Sequence, residues 1–152
     1  LLARGVIVDS QGTALTDSDA LRNSGAKEFD AILSDGSRVP VTIVGVASSS
    51  PIGMVTVAYA TSTAVTSARL ADASKVALGQ SVIRIGGKGA DTVGTGVVAA
   101  LPGKNSTIEA SVASATPGSL LMNMFGEIIG IATTDSLAQG SDYYTVPKIP
   151  EQ

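Results

Sequence analysis

The chain has 152 residues, enough for one domain or two small lobes sharing a core, burying about two-thirds of the unfolded surface. A net charge of −3, with ten Lys and Arg scattered singly, argues against a nucleic-acid partner, because phosphate binding needs clustered cations. The absence of Cys and His sets aside disulfides and thiol chemistry and removes the commonest metal ligand and general base.

The 44% hydrophobic content is carried by Ala, Val, Ile and Leu beside only 3% aromatic residues and 17 Gly. That mixture favours β structure with tight turns. No run reaches the roughly 18 apolar residues of a membrane span, so no membrane insertion by this segment is expected. Leu1, Leu2 and Ala3 are too few for a signal peptide, which leaves open what precedes them.

Residues 5–9 and 13–16 are β-prone runs joined by Ser10, Gln11 and Gly12, a predicted hairpin. Residues 17–21 predict one helical turn capped by Asp17 or Ser18. Strands are predicted over 28–33 and 37–46 around the turn signal Asp35 and Gly36, with Pro40 suggesting an edge or a bulge. A strand over 52–59 completes a first lobe, 1–60, and the Ser-, Thr- and Ala-rich stretch 61–68 is the expected linker. The second lobe, 69–148, repeats the pattern with strands over 80–85, 93–101, 106–111, 120–122, 127–132 and 142–146. Two successive sets of about six short strands predict an all-β chain of two packed lobes, nearly without helix.

Several local signals have a bland reading that outweighs the chemical one. Gly86, Gly87, Lys88 and Gly89 could close on an anion, but they lack the full GxxxxGK[ST] pattern and no long helix follows, so a hairpin tip is expected. Asp9, Asp17 and Asp19 match no calcium loop and are read as turn and cap residues. A serine nucleophile would have to use a lysine base, and Lys27, Lys75, Lys88, Lys104 and Lys148 mostly occupy polar turns where they stay protonated.

Four stretches go further together. They are 4–20 (RGVIVDSQGTALTDSDA), 44–55 (VGVASSSPIGMV), 71–86 with 95–101 (ADASKVALGQSVIRIG, TGVVAAL) and 115–131 (ATPGSLLMNMFGEIIGI). In order and spacing, from Ala3 to Pro147, the chain resembles the HtrA/Deg-type, trypsin-like serine proteases. The resemblance implies a chymotrypsin-like fold of two packed six-stranded antiparallel β-barrels. It puts Asp19 where the catalytic His stands, Pro51 where the Asp stands and Pro117 where the nucleophilic Ser stands. Ala115, Thr116, Gly118 and Ser119 then cover the rest of the oxyanion and cleft region.

All three triad positions differ from the family pattern, and a proline has no N–H to offer an oxyanion. What the resemblance implies is therefore a pseudoprotease with no catalytic residues, cofactor or metal, serving as a peptide-binding, protein-binding or scaffolding module. A peptide would add as a strand at sheet edges beside the former cleft. A homo-oligomer and a place in the periplasm or cell envelope follow from the resemblance alone. Two alternatives stay open: a residual hydrolase built on Ser114 or Ser119 with a lysine base, and a structural module of a larger envelope protein.

Overall fold

The computed structural model describes residues 2–45, 50–58, 66–87, 91–103, 106–114 and 116–147. The expected linker therefore lies mostly outside the described residues, as do Lys88, Gly89, Lys104 and Lys148.

β1 (Gly5–Ile7) and β2 (Thr13–Asp17) form the predicted hairpin, Gly5 opposite Thr16. Asp9 holds its turn by accepting from the N–H groups of Gln11 at 2.8 Å and Thr13 at 3.0 Å. With β3 (Phe29–Ile32), β4 (Arg38–Gly45) and β5 (Ile52–Val57) it makes an antiparallel sheet in the order β1-β2-β5-β4-β3. The first lobe thus has five strands in an open sheet among the described residues.

Pro40 is a correction. It lies on β4, between β5 and β3, and not at an edge; the irregularity of β4 falls between Ile43 and Gly45. The ring is tolerated because the Pro40 carbonyl accepts from Ala58, one residue beyond β5, so its missing donor faces the place where pairing with β5 has ended.

The second lobe follows a 3-10 turn at Ala73–Lys75. It contains β6 (Ser81–Gly86), β7 (Thr92–Ala100), β8 (Thr107–Ala110), β9 (Leu120–Met122), β10 (Ile128–Ile131) and β11 (Tyr143–Thr145). These close into a barrel in the order β10-β11-β8-β7-β6-β9. Val82, Val98, Ile108, Leu121, Ile129 and Tyr144 fill it. Burial drives the Tyr144 phenol up to about 12, and its hydroxyl donates to the Val112 carbonyl at 2.7 Å.

A separate apolar cluster joins the lobes: Leu15 of β2 packs with Ile128 and Ile131 of β10, flanked by Val6, Ile52, Leu120 and Met122. Polar groups close the same junction. Asp17, fully buried, caps α1 (Ser18–Asn23) by accepting from Ala20 N–H at 3.3 Å. It also accepts from the N–H and hydroxyl of Thr134, at 3.1 and 2.5 Å, at the start of α2 (Thr134–Gln139).

The sequence pattern did not announce α2. Its capping box is made by Thr133 and Ser136, each side chain bonded to the other's backbone N–H, where the recognisable form carries Glu or Gln.

Asp17→Ala should remove a cap worth about 1 kcal/mol and two hydrogen bonds from Thr134 to a carboxylate, worth about 1 kcal/mol each. Urea unfolding is expected to show a loss of about 3 kcal/mol, against about 1 kcal/mol for Thr134→Val. A loss below about 1 kcal/mol for Asp17→Ala would mean the junction is held elsewhere.

A second expectation concerns acid. The hydroxyls of Thr13, Ser37 and Ser74, then backbone N–H groups, hold the carboxyls of Asp9, Asp35 and Asp72 below the ordinary value of 3.8. A depressed folded value gives stability that is present above 3.8 and lost as the pH falls through the folded value. The triple Asp→Asn variant should therefore lose less thermal stability than the native chain between about pH 5 and pH 3, read by circular dichroism.

Candidate functional site at the lobe junction

The three positions where the family's triad would stand meet through a run of short contacts. The Pro117 carbonyl accepts from Arg4 N–H at 2.9 Å, and the Arg4 carbonyl accepts from the Thr16 hydroxyl at 2.7 Å. Thr16 leads into Asp17 and α1, where Ser18 N–H donates to the Pro51 carbonyl at 3.0 Å and the Ser18 hydroxyl to the Ser50 carbonyl at 2.6 Å. Asp19, in the first turn of α1, pairs with Arg22. Elements from both lobes thus bring Asp19, Pro51 and Pro117 to one junction.

The loop at 116–119 spends its polar groups internally. Thr116 N–H donates to the Ser114 hydroxyl at 3.4 Å, Gly118 N–H to the Ala132 carbonyl at 2.7 Å and Ser119 N–H to the Thr116 carbonyl at 3.2 Å. Pro117 has no N–H, and Ala115 lies outside the described residues. The Ser119 hydroxyl is fully buried and donates to the Thr116 carbonyl at 2.7 Å; Ser114, also buried, reaches the same carbonyl at 3.4 Å. Lys27 and Lys75 are exposed on the first lobe and on the 3-10 turn. Among the described residues no lysine is seated beside either serine.

Gly118 explains how tightly this loop is fitted. Its φ of +85° is left-handed, and a Cβ built there would fall on the Arg4 carbonyl oxygen. The Arg4 side chain continues outward to the second lobe, its Nε donating to the Gly87 carbonyl at 3.0 Å and its guanidinium pairing with Asp91. The segment around Gly86 and Gly87, set aside above as a hairpin tip, is where the N-terminal strand is fastened. Arg4 carried no signal in the sequence, since its partners are more than eighty residues away.

The second barrel is closed among the described residues, while the first sheet is open. The edge strands of the first sheet are β1 and β3, and β1 is the one beside the 116–119 loop, since Arg4, the residue before it, donates its N–H to the Pro117 carbonyl. Asp9, Asp17 and Asp19 each have their own partners, Asp9 in its turn, Asp17 at the lobe junction and Asp19 with Arg22.

The family model of the trypsin-like peptidase domain matches residues 3–131. The chain belongs to that family. Among solved structures it is similar to the HtrA-type protease AlgW with a decapeptide, with a TM-score of 0.80 and 21% identity. That match covers 97% of this chain and 48% of the other, so this chain spans about half the length of that relative. At this identity the likeness establishes the fold: a mostly β, chymotrypsin-like pair of lobes, as the resemblance implied.

Gly36 has the same φ of +85° in open space, which makes it a matched control. Gly36→Ala should cost about 1–2 kcal/mol for the backbone alone. Gly118→Ala should cost more than about 3 kcal/mol, because the Arg4 strand must move as well. Equal losses in urea unfolding would overturn the tight seating of Arg4 on the loop.

Proposed function

We propose that this chain is a non-catalytic member of the trypsin-like family that binds a peptide or protein at the face formed by Asp19, Pro51 and the 116–119 loop. Pro117 carries the reading. It lacks both a hydroxyl to attack with and an N–H to hold an oxyanion, and the N–H groups of Thr116, Gly118 and Ser119 are donated within the protein. Acyl transfer also needs a base for the nucleophile's proton, and the chain has no His. Ser114 and Ser119, the serines of the competing hydrolase reading, are buried and bonded to the Thr116 carbonyl.

Support for binding is that the scaffold persists while the reactive groups do not, and that a protein of the same fold is described with a decapeptide. The sheet edge nearest this face is β1, part of which is already taken by the bonds of Arg4 N–H to the Pro117 carbonyl and of Ala68 N–H to the Ile7 carbonyl. The resemblance also supports a location outside the cytoplasm. No helix of the described residues is long and apolar enough to cross a membrane.

A serine-reactive fluorophosphonate is expected to leave the native chain unlabelled, with no turnover of a mixed peptide library. Labelling at Ser114 or Ser119, with turnover lost on Ser→Ala, would overturn the non-catalytic reading. Binding of library peptides should weaken by about tenfold or more in Asp19→Arg, which places a bulky cation on the proposed face. Undiminished binding in that variant would move the interaction to another surface.

A further inference from the structure

Arg84 occupies a place where a cation is costly. On β6 it shares a face with Val82, a core residue of the second barrel, and its strand partners are Gly94 on β7 and Leu121 on β9. The side chain lies flat over Gly94: a Cβ there would come within 2.7 Å of Nη2 and 3.1 Å of Nε, and within 2.7 Å of Val112. On the other side, a Cβ at Gly86 would stand 3.5 Å from Nη1 and against the Ser119 hydroxyl. The guanidinium thus lies between Val112 and Ser119, beside the loop that carries Pro117.

Its partners do not match its donors. Nη1 donates to the Thr92 hydroxyl at 2.9 Å, while Nε is buried with no acceptor. Arg4, Arg22 and Arg38 each face a carboxylate, whereas Arg84 has no ion pair among the described residues. Its charge reaches inward as far as Tyr144, opposing the burial that raises that phenol. It also keeps some exposure, and Thr92 beside it is exposed. A guanidinium cannot shed its proton, and a buried donor without an acceptor is unfavourable, so such a group is a strong receiver for an anion that brings two oxygens.

We infer that Arg84 is the anion-recognition residue of the site and takes a carboxylate from a bound peptide, supplied by an acidic side chain or by a chain terminus. The inference rests on the peptide-binding reading above and adds its chemical preference. Glycines at 86 and 94 leave the room in which the guanidinium lies. A small side chain at 84 would leave only the neutral hydroxyls of Thr92 and Ser119 there and remove the preference.

Two measurements test it on the full chain. In the first, the arginine Nε–H resonances are followed by NMR during titration with sodium acetate, against sodium chloride at matched ionic strength. A saturable shift of the Arg84 resonance in acetate alone, with that resonance identified by its loss in Arg84→Ala, is the expected result. No saturable shift, or one shared equally by all arginines, overturns the inference.

In the second, a random-sequence peptide array with amidated or free C termini is probed with the native chain and the variants. Enrichment of Asp or Glu in the amidated set assigns the carboxylate to a side chain, and enrichment confined to free termini assigns it to the chain end. Either preference should fall by about tenfold in Arg84→Ala, and in Arg84→Lys, which keeps the charge but loses the fork. The lysine variant serves if the alanine variant does not fold. Peptides bound without acidic preference overturn the inference and leave the binding reading standing. An acetate response with no bound peptide keeps the anion site and overturns the peptide as its source.

Discussion

One buried carboxylate joins the two halves of this protein. Asp17 ends β2, opens α1 and receives both donors of Thr134 at the start of α2. A carboxylate taken out of water is tolerable only when its oxygens are bonded, and here N–H and hydroxyl groups from two lobes do the bonding. Leu15, Ile128 and Ile131 close the apolar part of the same junction. Because α1 also carries Asp19 and contacts Pro51, whatever fixes Asp17 fixes the candidate site.

The loop at 116–119 is the other half of that site, and it is organised for close packing. Its Pro117 carbonyl and the crowded Gly118 receive the backbone of Arg4, whose side chain then reaches Gly87 and Asp91. The N-terminal strand is in this way threaded between the lobes and pinned at both. The donors that could face a ligand are few, since the loop's N–H groups turn inward. Among the described residues, what remains polar and incompletely bonded nearby is the guanidinium of Arg84.

Much of the fold was legible because it rests on local patterns. Alternating β-prone runs and glycine-bearing turns gave the hairpin of β1 and β2, the turn at Asp35 and Gly36, and the six strands of the second lobe. The capping role of Asp17 was legible too, from its place before a short helical run. Pro40 was misplaced because a strand's position in a sheet depends on which strands flank it, and here its carbonyl meets Ala58 just past β5. The helix α2 was missed because six residues with a Thr and Ser capping box resemble any polar loop.

By itself the sequence determined the periodicity, the turn chemistry, the absence of His and Cys and the presence of Pro117 in a glycine- and serine-rich loop. These are properties of residue types and their neighbours, and they needed no partner to be read. The tertiary structure decided the rest. It joined Asp17 to Thr134, seated Arg4 on Gly118, closed the second barrel and laid Arg84 over Gly94. Each of those depends on contacts between residues distant in the chain, where burial and not local propensity sets what a side chain can do.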